Sequence, residues 1–214
     1  MTNNYIVPKR SILEEIGNSI THGVGSIFSI VSLILMIIFS NNTLECLAGI
    51  IYFLGMFILF TMSCLYHAFK HGSRVKSLFR RFDYLSIYLL IGATYAPILL
   101  CYFNTTTSLI YFIIQWTIII IGITFISIFG PEKIKILHFI LYIILGWSGI
   151  SFIPKMLDKN FTFFLYILLG GIVYSLGIIP FTINKKASHF IWHFFVLFGA
   201  IIQWIGIFIY IYLN

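Results

Sequence analysis

The residues in this chain best suited to chemistry are histidines spaced to converge. His189 and His193 lie four residues apart, so on a helix both imidazoles share one face and can point at one spot. Ser63 and His67 have the same spacing in an earlier segment, and Asp83 opens the next apolar one. Two histidines at i, i+4 with a third from another helix make a three-nitrogen zinc site, leaving a fourth position for water as catalytic zinc requires. Zinc makes such water acidic near neutral pH. Asp83 is then expected to accept the proton, or else to hold a histidine in the correct tautomer from outside the ligand set. Ser63 is expected to hydrogen-bond the water or an oxyanion.

The elements that position these side chains must live in lipid. The 214 residues are 60% hydrophobic and 9% charged, with a mean hydropathy of +1.04. An ordinary soluble domain carries roughly 25% charged residues. A globule of this size cannot hide that much apolar surface. Seven segments are long and apolar enough to cross a bilayer: 20–40, 44–66, 83–103, 107–129, 134–153, 162–182 and 188–212. They are separated by Asn41-Asn42, the basic stretch from Lys70 to Arg81, Asn104 with three threonines, Gly130-Pro131, Pro154 to Asn160, and Asn184 to Ser188. The expected architecture is all-α: a single seven-helix membrane domain (20–214) behind an amphipathic lead-in (1–19), without internal repeats.

Charge sets the orientation. Lys9, Arg10, Lys70, Arg74, Lys76, Arg80, Arg81, Lys133, Lys135, Lys185 and Lys186 fall on one side, and only Lys155 and Lys159 on the other. The positive-inside rule therefore puts the N-terminus in the cytoplasm and the C-terminus outside. The net charge of +7 resides in these short gaps, with no basic face or nucleic-acid motif, so nucleic acid is excluded as a partner. The first apolar run has no A-x-A-like cleavage site after it and carries Glu14 and Glu15 ahead of it, which reads as a retained helix rather than a signal peptide. Cys46, Cys64 and Cys101 form no CxxC pair; they read as small apolar helix residues, with a Cys46–Cys101 bridge as the alternative.

An ionisable side chain at the centre of a membrane helix costs roughly 2.5–3.5 kcal/mol, so each one calls for a reason. The orientation gathers His67, Asp83, His189 and His193 at the cytoplasmic ends of three helices. Taken singly, each has a structural alternative: histidines at the headgroup level, a Ser63 bond to its own helix, Asp83 as a helix cap. A second stripe precedes the first span, formed by Glu14 or Glu15, Asn18 and His22. Its alternative is an interfacial helix N-capped by Ser11, with Glu14 completing a capping box. His71 reads as a loop residue, and His138 as a fourth candidate ligand without a partner at helical spacing. Gly170, Gly171, Tyr174 and Gly177 form a small-residue packing face. Trp147, Trp192 and Trp204 read as interfacial or packing aromatics, and Pro97 and Pro180 as kinks or helix ends.

From about Leu13 onward the chain resembles the haemolysin-III branch of the progestin and adipoQ receptor superfamily. The resemblance rests on Glu14-Glu15-Ile-Gly-Asn18-Ser-Ile-Thr-His22-Gly, on Ser63-Cys-Leu-Tyr-His67, and on Asp83-Tyr-Leu-Ser-Ile-Tyr followed by Gly92-Ala-Thr-Tyr-Ala-Pro97. It continues in Gly170-Gly-Ile-Val-Tyr174-Ser-Leu-Gly177 and His189-Phe-Ile-Trp-His193-Phe-Phe-Val. It implies seven helices with a cytoplasmic N-terminus, and zinc on His67, His189 and His193 with Ser63 and Asp83 beside it. The receptor branch is similar to alkaline ceramidases at its metal site, which implies hydrolysis of a lipid amide. Tyr84 departs from the histidine usual after the aspartate in the bacterial branch, whereas the eukaryotic branch tolerates tyrosine there.

Three functions compete at this point. The first is a zinc-dependent hydrolase of a membrane lipid (amide or ester) in a bacterial cell (inner) membrane, linked to lipid homeostasis and partnered by membrane lipids. The second is a non-enzymatic sensor or regulator whose zinc staples helices together. The third is a pore-forming cytolysin, which a chain this hydrophobic supports least.

Overall fold

The computed structural model describes residues 10–183 and 185–213; residues 1–9 (Lys9 among them), Asn184 and Asn214 lie outside the described residues. The chain folds as helices α1 (Ile12–Ile38), α2 (Thr43–Ala68), α3 (Arg74–Ala96), α4 (Thr106–Phe129), α5 (Lys135–Trp147), α6 (Ile153–Lys159), α7 (Phe161–Thr182) and α8 (Ser188–Ile207). A π-helical turn, Pro97–Phe103, extends α3; a 3-10 turn, Ser148–Phe152, joins α5 to α6; a second π turn, Phe208–Tyr212, ends α8. No strand occurs among the described residues. Seven helical stretches are long and apolar enough to cross a membrane, with α3, α5 and α8 counted together with their extensions. The protein is thus an all-α, multi-pass membrane protein.

Local chemistry starts the helices where the chain needs them. Ser11 and Glu14 form the expected capping box at the head of α1. Asn42, Ser73, Thr105 and Asn160 each accept a hydrogen bond from the backbone N–H three residues on. Two boundaries differ from the sequence reading. The α1 helix runs unbroken from Ile12, so the lead-in stripe is part of the first spanning helix. The third helix starts at Arg74 rather than Asp83, which sits inside α3 and caps nothing. The basic stretch is helical because Ser73 caps it and because Lys76 and Arg80 are buried and paired.

In lipid, an interrupted helix needs protein partners for its freed backbone groups. At the α5–α6 break Tyr95 supplies two: its hydroxyl donates to Gly146 O (2.7 Å) and accepts from Gly149 N (3.0 Å). Tyr111 donates to Ser148 O, and Gln115 Nε2 to Ser148 Oγ (3.2 Å). Pro180 lies within α7, two residues before its end. Cys46, Cys64 and Cys101 are free thiols, so the conceivable Cys46–Cys101 bridge is not formed.

The main core joins α2, α3 and α8 through Tyr52, Met56, Phe60, Leu90, Val196 and Ala200. A smaller one joins α3, α4 and α5 through Tyr88, Ile119, Ile126 and Leu145. The α2–α3 contact depends on Gly55, where a Cβ would fall 2.3 Å from Ala93 Cβ and 2.8 Å from Leu89 O. Replacing Gly55 with Ala is therefore expected to destabilise the fold by about 1–3 kcal/mol. A clear fall in the melting temperature of the purified protein checks this. Gly171→Ala, whose nearest new contact is Trp147 at 3.8 Å, should melt no lower than the parent.

Candidate metal centre

Three helices place the histidines at one end of the bundle. His67 is the penultimate residue of α2, while His189 and His193 occupy the first two turns of α8. One nitrogen from each of the three falls within 4.8 Å of the others, a spacing that can hold a metal ion. The ring centroids are 4.8 to 5.2 Å apart, with His67 and His193 buried and His189 half-buried.

The donor atoms fit a shared ion. His189 Nε2 and His193 Nε2 are 3.2 Å apart. Two imidazole nitrogens on one tetrahedral ion, each at about 2.0–2.1 Å, lie about 3.3 Å from each other. His67 Nε2 is buried without a hydrogen-bond partner among the described residues. Its other nitrogen, Nδ1, lies 2.5 Å from Glu15 Oε2. A carboxylate can only accept, so Nδ1 carries the proton and Nε2 keeps the lone pair a metal needs.

The stripe on α1 divides its work. Glu15 holds His67 and also pairs with Lys76 Nζ at 3.0 Å. The Asn18 carboxamide lies 3.2 Å from the same His67 nitrogen; with Nδ1 protonated, it is the amide oxygen that can accept there and not the NH2 group. Glu14 points to the other helix that carries candidate ligands, accepting from Ala187 N at 2.6 Å. His22 is buried and is not one of the clustered ligands; its ring stacks on His193 with centroids 3.8 Å apart and an interplanar angle of 28°. The sequence reading has Asp83 as the carboxylate that could orient a histidine; the one that reaches His67 Nδ1 is Glu15.

Asp83 and Ser63 lie together in front of the cluster. The Asp83 carboxylate sits beside the Ser63 hydroxyl and within electrostatic reach of His67. Both line a cavity of about 750 Å³, which His189 and His193 also border. His138 does not join the histidines: its Nδ1 is 2.9 Å from Tyr88 OH. Tyr84 also lines the cavity, and the Arg80 guanidinium lies 5.7 Å from its ring centroid.

Sequence reasoning missed Lys76 and Arg80, taking both for loop charges. The signal was present: Val75, Leu78, Phe79 and Phe82 recur with helical period behind Ser73. Lys76 is 1% exposed and donates to Phe69 O (3.1 Å) as well as to Glu15. Arg80 pairs with Glu132 across to the α4–α5 turn.

The chain is similar to known proteins along most of its length. The family model for haemolysin-III related proteins matches residues 10–204. Hemolysin-3 of Bacillus cereus is 39% identical over 206 residues, covering 94% of this chain and 93% of that protein. A hemolysin-3 homolog of Bacillus subtilis is 36% identical, covering 89% and 91%. The human monocyte to macrophage differentiation factor is 28% identical, covering 95% and 87%. The chain belongs to the haemolysin-III related family.

Glu15→Gln should lower Zn²⁺ affinity about 10- to 100-fold, because it removes the charge that fixes the His67 tautomer. Competition against a chromophoric chelator measures this. His67→Ala should abolish binding in the same assay, and an unchanged affinity for Glu15→Gln would remove the assigned role.

Proposed function

We propose that this haemolysin-III family member is a zinc-dependent hydrolase. In this reading it cleaves an amide or ester bond of a membrane lipid near the cytoplasmic headgroups of a bacterial cell membrane, in the service of lipid homeostasis. The cavity carries the reading. It runs from Ser63, Asp83, His189 and His193 to Phe103, Phe152 and Phe164 at the opposite end of the bundle, and its wall is mostly apolar. Ligand pockets span roughly 300–1,000 Å³, and this one falls within that range. An acyl chain fits the apolar shaft, which leaves its polar end at the histidines.

His67, His189 and His193 would hold the zinc. Three nitrogens without a thiolate resemble catalytic rather than closed structural donor sets. When bound, zinc supplies Lewis acidity at neutral pH. Asp83 accepts the proton of the attacking water. It suits that role because Glu14 and Glu15 are already engaged with Ala187 and with His67 and Lys76. Ser63 donates a hydrogen bond to Asp83 or to the oxyanion that develops on the substrate. The shaft orients the chain and keeps bulk water from it.

A second reading has one observation in its favour: the histidines connect α2 to α8, and Glu15 adds α1. In that reading zinc is a staple in a non-enzymatic regulator. Asp83→Asn separates the two. Turnover of a lipid panel by the purified protein should fall by about 10²–10⁴-fold, while zinc content by mass spectrometry stays at the parent value. A zinc-replete protein that hydrolyses nothing would sink the hydrolase reading. The Bacillus names suggest a third outcome, dye release from liposomes that survives loss of the histidines.

A further inference from the structure

The mouth of the cavity beside the candidate metal centre holds an arginine, Arg10, that forms no ion pair among the described residues. Arg10, Arg80, Lys135, Lys185 and Lys186 border the cavity together with Glu14, Glu132 and Asp83. Several of these charges are committed elsewhere. Arg80 pairs with Glu132, Glu14 holds the start of α8, and Lys135 lies 5.7 Å from the centre of the Phe181 ring. Arg10 hydrogen-bonds Tyr66 and lies within electrostatic reach of Glu14 and Asp83 as well as of His67 and His189. Its Nη1 is buried and has no hydrogen-bond partner among the described residues.

Two physical facts make this position odd. A guanidinium stays charged in a protein, and a buried donor without an acceptor is costly. An arginine serving membrane topology alone would extend its head into water. Arg10 instead turns a donor into the wall next to a site for a divalent cation, where like charge repels. An anion between the two relieves both costs. Lys185 and Lys186 are exposed at the same mouth and form no ion pair among the described residues. Three cations exceed what one carboxylate satisfies, whereas a phosphate monoester offers three oxygens and matches the guanidinium fork.

We propose that Arg10, with Lys185 and Lys186 at the rim, is a phosphate-recognition subsite, and that the ligand of this cavity is a lipid with a phosphate-bearing headgroup. The oxyanion sits between Arg10 and the histidine cluster, with the chain in the apolar shaft. This rests on the reading of the cavity as a lipid site but not on hydrolysis.

The test uses the purified full chain, zinc-loaded, in detergent micelles. Hexadecylphosphonate, palmitate, hexadecanol and inorganic phosphate serve as probes. The C–P bond of the phosphonate resists ester and amide hydrolases, so binding is read apart from turnover. Thermal unfolding and titration should show hexadecylphosphonate binding at least about tenfold tighter than palmitate or hexadecanol, with inorganic phosphate weakest. Arg10→Gln should cost about tenfold or more in phosphonate affinity, with hexadecanol affinity and zinc content unchanged. Arg10→Lys keeps the charge without the fork and should fall between, which also serves if Arg10→Gln does not fold.

Equal binding of phosphonate and hexadecanol overturns the proposal, as does an Arg10→Gln or Arg10→Lys protein with parental phosphonate affinity. Palmitate binding as tightly makes the site a carboxylate site, and inorganic phosphate binding as tightly makes it a free-anion site; either result overturns it. Phosphonate discrimination without turnover of any lipid defeats the hydrolase reading and upholds this one.

Discussion

The whole site hangs on two adjacent carboxylates, Glu14 and Glu15, in the first turn of α1. Neighbouring residues on a helix point about 100° apart, so the pair reaches two different helices at once. Glu15 bridges Lys76 on α3 and His67 on α2, while Glu14 binds the backbone N–H just ahead of α8. His67 is itself a candidate ligand, Ala187 lies two residues before His189, and Lys76 Nζ lies 3.5 Å from His67 O. A buried ion pair is no free gain, because desolvating both charges offsets much of their attraction. The balance holds here because the atoms of the ion pair itself are used. Lys76 also donates to Phe69 O at the end of α2, and both Glu15 oxygens are occupied. Losing one member strands the others in a nearly dry interior. The histidine geometry is thus set by α1, which contributes no ligand to the cluster.

The seven spans were legible because lipid imposes a length and a composition that few sequences meet by chance. The histidine cluster was legible from spacing alone at His189 and His193; His67 needed the charge-derived orientation to bring it to the same depth. Helical period identifies which residues share a face. It does not say which face meets which, and for that reason the pairs Glu15–His67, Glu15–Lys76 and Arg80–Glu132 were out of reach. Lys76 and Arg80 were hidden for a further reason. The positive-inside pattern already accounted for them, although the apolar period around them marked a helix. Glu14 was explained by its capping box, and it does close that box; its contact with Ala187 is additional and carries no local signature.

The interruptions in the helices serve the cavity. Gly146 and Gly149 line it at the α5–α6 break, where the 3-10 turn and the absence of side chains leave room. That geometry persists in lipid because Tyr95, Tyr111 and Gln115 satisfy the backbone and side-chain groups around it. Pro97 lies one helical turn from Ala93, and the chain beyond it continues as a wider π turn that adds Ile98, Leu99 and Phe103 to the wall. Space inside a bundle this apolar is therefore built from backbone irregularity, with polar side chains acting as its fasteners.

The distribution of carboxylates around the histidines is what favours the proposed hydrolase reading over stapling. A metal that only joins helices needs its ligands oriented and otherwise surrounded by packed side chains. Here the orienting acid, Glu15, stands behind His67, and the opposite side is left to a cavity with Asp83 in its wall. Asp83 makes no ion pair among the described residues and lies beside Ser63, the one hydroxyl the spacing with His67 had singled out. Keeping a carboxylate there is costly in a membrane helix, and a staple gains nothing from it. Under the hydrolase reading proposed above, a carboxylate facing an apolar shaft is placed where the attack on a lipid bond needs a proton acceptor.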